Sequence, residues 1–260
     1  MTTTTATLTP TRTTLASWLR AFALNLRWEW TGARQWAGLM VVIQFMMGVG
    51  MAIMYGFIYP EITPSTAMYI ATGIPTLALI PMGFVMIPGG VGEQRLSGSF
   101  DFVWSLPVPR SAQICAMFAL YTLLSMPGMV LALVVAAWRF SVPLEVSWLL
   151  VPAVLLAALM AVAVGAGMAF AITHPMVTNL ISNALIFVVL LFTPIVYPAS
   201  NLPGWLQTTH EVLPFAHMAT VIRAGLTEGV VTDVGTSFLV LGAWALAGTA
   251  VTGVVAHRRG

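Results

Sequence analysis

The chain has 260 residues, 59% of them hydrophobic and only 7% charged, with ten arginines, no lysine and a formal net charge of +2. A soluble domain carries about 25% charged residues, so the composition excludes an ordinary soluble enzyme or binding module and points to the membrane. The single Cys115 excludes an internal disulfide and supplies no cysteine pair for a metal.

Residues 1–14 are rich in threonine and read as a disordered tail. From Leu15 the pattern changes. Leu15, Trp18, Leu19, Phe22 and Leu26 recur at helical spacing, while Arg20, Arg27 and Arg34, seven apart, share another face. This predicts a helix over 15–34 along the cytoplasmic interface, apolar side in the acyl boundary and guanidinium groups at lipid phosphates. Such a helix serves either as a topogenic anchor or as a contact for a partner.

A bilayer core of about 30 Å is crossed by about 20 apolar residues in a helix. Uncharged runs place the first two spans near 36–58 and 66–88 and the third near 112–138. The 65 residues from Val146 to His210 contain no Asp, Glu, Lys or Arg. That run is too long for one crossing, and the His174-Pro175 step divides it into spans near 147–173 and 177–198. The sixth span is expected near 234–256. Eight arginines (12, 20, 27, 34, 95, 110, 258 and 259) fall on the side of the termini, against Arg139 and Arg223 on the other. The positive-inside rule therefore predicts a multi-pass protein of the cell membrane with both ends in the cytoplasm.

Two connections are more than linkers. In the cytoplasmic stretch Pro88 to Ser111, polar Glu93, Gln94, Arg95 and Asp101 accompany an apolar stripe of Leu96, Phe100, Val103 and Trp104. Pro88, Gly89 and Gly90 in front, with Pro107 and Pro109 behind, predict a short helix between them. It either rests on lipid or acts as a lever for a cytoplasmic partner. Its glycines do not make a P-loop, because no Gly-Lys-Ser/Thr follows them and the chain has no lysine. ATP, if used, is hydrolysed by another polypeptide.

The outer stretch Thr193 to Gly229 is long but too apolar to float in water. Pro203 and Pro214 divide it into two helical pieces, each too short to cross. They form either a re-entrant hairpin over 199–229 or two helices lying flat on the surface.

The spans offer few chemical groups. They contain almost no ionisable side chains, which argues against a proton or ion relay. Met47, Met51 and Met54 in span one, with Tyr69 in span two, form either a pliable lining for amphipathic cargo or ordinary packing. Asn179, Ser182 and Asn183 share one face of span five, with Phe187 beyond them, as interhelical hydrogen-bonding groups or a cavity wall. Gly165 and Gly167 in span four suit close helix packing. The four histidines lack ligand spacing, so no metal site is expected, and no Gly-x-Ser-x-Gly nucleophile segment appears.

Read in order, the chain resembles the permease subunit of ABC-2 type transporters, the group that includes daunorubicin-resistance, nodulation-factor and polysaccharide exporters. The resemblance covers nearly all of residues 15–259 and is most specific in TPIVYPASNLPGWLQ followed by LPFAHMATVIRAGL, with Pro198, Asn201, Pro203, Trp205, Pro214 and Arg223 in the outer hairpin. It implies an all-α integral membrane fold of six transmembrane helices, with an N-terminal interface helix, a coupling helix at 91–104 and a re-entrant hairpin. Glu93, Gln94, Arg95, Leu96, Phe100 and Asp101 would then engage a separate ABC ATPase, two copies of which hold ATP and Mg, while this chain binds no cofactor. A second permease copy, in a homodimer, would complete a path past Met47, Met51, Met54, Tyr69, Asn179, Asn183 and Phe187. The implied function is ATP-driven export of a hydrophobic or amphipathic compound such as a drug or antibiotic. A lipid-linked glycan is the alternative cargo, and a lipid enzyme or membrane scaffold is the alternative class.

Overall fold

The computed structural model describes residues 14–58, 63–106 and 108–258. The expected tail, apart from Thr14, and Arg12, Pro107 and Arg259 lie outside the described residues. Helices α1 (Leu15–Ile58), α2 (Pro64–Pro81), α3 (Ile87–Leu96), α4 (Ser99–Ser105), α5 (Arg110–Phe140), α6 (Leu150–Ala171), α7 (Pro175–Phe192), α8 (Gly204–Val212), α9 (Pro214–Leu226) and α10 (Val234–Arg258) make the architecture all-α. A π-helical turn at Met82–Met86 joins α2 to α3, so that Pro64–Leu96 is one rod. Among the described residues six helices are long and apolar enough to cross a membrane: α1, this rod, α5, α6, α7 and α10.

Prolines set several boundaries. Thr63 caps α2, its hydroxyl accepting from the Thr66 amide at 3.3 Å, and Pro64 starts the helix where no N–H is needed. His174 is extended before Pro175, which opens α7 as the sequence predicts. Thr193, extended before Pro194, ends α7 at Phe192 rather than at 198, and Thr193 to Val196 continue as a buried non-helical segment.

Two expected boundaries are corrected. Pro88, Gly89 and Gly90 do not start a separate helix but lie inside the rod, because the wider turn at Met82–Met86 absorbs the missing Pro88 N–H and the displaced carbonyl before it. The break falls instead at Ser97–Gly98, so the expected helix over 91–104 is the end of α3 followed by α4. The stretch 15–34 is likewise not a separate helix. It is continuous with span one, and at 44 residues α1 rises about 66 Å, more than twice a bilayer core.

Helices α1 and α5 run parallel. Gly128 lies against Gln44 and Gly48 against Ala132, a constant register. Trp18 Nε1, however, donates to Ser111 Oγ at 3.0 Å, nine residues beyond that register. The first turns of α1 therefore bend back over the start of α5. Arg110 donates to the Ala256 carbonyl, which brings the start of α5 to the end of α10. These contacts define a terminal end of the bundle, and the opposite end holds α8 and α9.

The rod and α6 are largely covered by protein, whereas α1, α7 and α10 leave most of their surface uncovered. Small residues allow the central contact. Gly83 and Gly165 meet backbone to backbone, and Gly248 of α10 lies against Ala163. Span four thus uses its glycines for packing, as expected.

Candidate functional site

The hairpin is built around a buried cation. Phe215, at the start of α9, packs on Phe84 with ring centroids 5.3 Å apart, and Phe84 lies about 30 Å along the rod from Pro64. At the other end of α9 the amides of Glu145 and Ser147 donate to the Leu226 and Gly225 carbonyls, satisfying the last turn. The turn at Leu213–Pro214 therefore penetrates the bundle rather than lying flat across its end. His210 meets the Phe192 carbonyl at 2.9 Å, and Trp244 Nε1 donates to the Val212 carbonyl at 2.8 Å, holding α8 to spans five and six.

Arg223 of α9 is 4% exposed. Its Nε donates to Thr72 Oγ1 at 2.9 Å and one terminal nitrogen to the Ile195 carbonyl at 2.7 Å, while the guanidinium lies 4.2 Å from the centre of the Tyr69 ring. No carboxylate bonds to it among the described residues. Carbonyl dipoles, a hydroxyl and a π face replace an ion pair, and together they join the hairpin, span two and the segment after span five.

At the terminal end the α3–α4 elbow has a defined shape. Gly98 takes φ +72°, a left-handed conformation that suits glycine. The Ser97 and Ser99 hydroxyls donate to the Gln94 carbonyl at 3.2 and 3.3 Å, satisfying the end of α3. Phe100, Trp104 and Phe170 pack as an aromatic trio with centroids 5.4–5.7 Å apart. Arg95 lies 5.1 Å from the Phe100 ring and donates to the Phe170 and Ile172 carbonyls at the end of α6. Arg110, 5.9 Å from the Trp104 ring, does the same for α10. The elbow is thereby fastened to the ends of spans four and six.

Beside the elbow, α1, the rod, α5 and α7 border a half-open cavity of about 540 Å³. Trp28, Trp36, Leu39, Met40, Ile43 and Met86 supply apolar walls, and Glu29, Glu93, Gln94, Tyr121 and Asn179 supply polar groups. Among the described residues no three His, Cys, Asp or Glu side chains come together as metal ligands.

The residues expected to form one coupling surface divide in the structure. Glu93 and Gln94 line the cavity, Arg95 turns toward α6, Phe100 is buried, and Leu96 and Asp101 are exposed. Leu96 leaves the expected apolar stripe because the break at Gly98 resets the helical phase. The expected path residues do not converge within one chain. Met47 and Met51 are half-buried, Met54 is exposed, Tyr69 lies under Arg223, and Asn183 and Phe187 face out from α7. Asn179 alone of them lines the cavity. In the hairpin Pro214 is buried, Pro198 is half-buried, and Asn201, Pro203 and Trp205 are exposed. The sequence reading missed Glu29, Trp36 and Tyr121. The recurrence of Glu29, Trp36, Met40 and Ile43 on one face of α1 was a signal for it.

A comparison with curated proteins finds no match. The sequence pattern of the ABC-2 type transporter family matches residues 20–227, from the first turns of α1 to just past the end of α9. That match takes in five of the six spans, the elbow and the whole hairpin. The chain belongs to the ABC-2 type transporter family, as the membrane permease component that works with an ABC ATPase subunit.

Proposed function

We propose that this permease exports a hydrophobic or amphipathic compound, taken from the cytoplasm or inner leaflet and driven by ATP hydrolysis in the partner subunit. The supporting observation is the cavity at the terminal end, whose walls join indole, thioether and branched aliphatic groups to a few polar ones. Pockets of this size and composition suit a drug-sized amphipathic molecule. The uncovered faces of α1, α7 and α10 offer surface for lipid and for a second copy of the chain. In this reading both termini are cytoplasmic, and two copies form the conduit.

The elbow is the docking point for the ATPase. Leu96 at 80% and Phe102 at 59% exposure, with Asp101 between them and also exposed, present an apolar and acidic tip. A push on that tip is delivered through Arg95 and the Phe100–Trp104–Phe170 packing to span four, and through Arg110 to span six.

The test is transport by the complex in vesicles. The full chain, reconstituted with an ATPase bearing Gly-x4-Gly-Lys-Ser/Thr, should move the neutral lipophilic dye Nile red against its gradient only when ATP and Mg are supplied. Movement of a lipid-linked glycan without any movement of lipophilic dyes would replace this reading with glycan export. Transport by the chain alone would overturn the dependence on a partner.

A further inference from the structure

The terminal-end cavity contains chemistry that an apolar cargo does not need. Glu29 reaches it from α1 and Glu93 from α3, and among the described residues no arginine or histidine lines it. Neither carboxylate forms a salt bridge among the described residues. Tyr121 of α5 is 9% exposed and lines the same space. Its hydroxyl makes no hydrogen bond among the described residues, yet it lies within electrostatic reach of both carboxylates. The hydroxyl approaches the Gly90 backbone so closely that a Cβ there would sit 3.1 Å from it. A glycine at that position keeps the hydroxyl open to the cavity.

Three oxygen-bearing side chains from three helices thus face one space whose remaining walls include the Trp28 and Trp36 indoles. Carboxylates attract a cation, and the apolar walls around them strengthen that attraction by lowering the local dielectric. An anion would meet the same groups as repulsion. A neutral ligand would leave both carboxylates without a partner.

We propose that this cavity selects cargo bearing a positive charge on an apolar body, with Glu29 and Glu93 facing the charge, the Tyr121 oxygen turned to it, and Trp28 and Trp36 against the apolar part. This rests on the amphipathic-export reading and narrows its substrate class to lipophilic cations.

The test uses two ions of nearly equal size and apolarity but opposite charge, tetraphenylphosphonium and tetraphenylborate, with Nile red as the neutral reference. Binding to the purified full chain in micelles is measured by equilibrium dialysis against protein-free micelles. Each ion is dialysed in a separate experiment: tetraphenylphosphonium should bind saturably, and tetraphenylborate should bind at least tenfold more weakly. The double variant E29Q/E93Q should weaken tetraphenylphosphonium binding tenfold or more while keeping Nile red binding. Equal affinity for the two ions measured separately, or unchanged phosphonium affinity in the double variant, overturns the charge selection and leaves the amphipathic reading standing. Absence of saturable binding for both ions and for Nile red overturns both. If the variant does not fold, the comparison of the two ions on the unmodified chain decides alone.

Discussion

Arg223 Nε donates to Thr72 Oγ1 at 2.9 Å across 151 residues of sequence, tying the α8–α9 hairpin to span two. Thr72 remains satisfied without it, since its hydroxyl donates to the Met68 carbonyl at 2.7 Å. The two sides of this bond therefore differ in what they lose. Arg223→Ala strands the Ile195 carbonyl and opens a void under the Tyr69 ring, and should cost about 2–4 kcal/mol. Thr72→Val removes one acceptor from the guanidinium and should cost about 1 kcal/mol. Thermal unfolding in detergent checks both, and a coupling energy near zero in the double variant would mean that the pair does not interact in solution.

The backbone contact between the rod and span four leaves no room for a methyl group. Gly83→Ala should lower stability by about 1–3 kcal/mol, because its Cβ would strike the Ala161 backbone. Gly38→Ala is the control. No atom lies within 4 Å of a Cβ there, and alanine is favoured over glycine in a helix by about 1 kcal/mol, so its melting temperature should hold or rise.

At the elbow, Gly98→Val places a β-branched residue at φ +72° and should cost about 1–2 kcal/mol locally. The bundle should still insert and fold. What should fall is stimulation of ATP hydrolysis by transported compound in the reconstituted complex. Normal stimulation in a folded variant would remove the elbow from the coupling path.

Leu96→Asp and Asp101→Lys change exposed side chains and should alter stability by no more than about 0.5 kcal/mol. Each should reduce the amount of ATPase that co-purifies with the chain. Undiminished co-purification with both variants would place the docking surface elsewhere.

Gln44 is 3% exposed, and its side-chain oxygen, beside Gly128, has no hydrogen-bond partner among the described residues. Gln44→Met keeps the length and removes the unpaired oxygen, so the melting temperature should hold or rise. A clear fall would show that the amide is satisfied in the membrane by a group from outside this chain.

Much of the architecture was legible in the residues. The His174-Pro175 step ends one span and starts the next because proline constrains both its own position and the one before it, whatever surrounds it. The same local rule misplaced the elbow. Pro88 lies within a rod because a π-helical turn, held against Gly165 of span four, accommodates it, and that support comes from a residue far away in sequence. Leu96 illustrates a related failure, since a single break at Gly98 shifts every side chain after it to another face.

By itself the sequence determined that the chain crosses a membrane, roughly where, and that it has no P-loop of its own, since those follow from apolar length and from a missing residue type. Only the tertiary structure decided which polar groups share a space. Glu29, Glu93 and Tyr121 come from three helices, and Arg223 finds Thr72 only once the hairpin has folded into the bundle. Helical periodicity assigns a residue to a face of its own helix, and the neighbour of that face is chosen by packing.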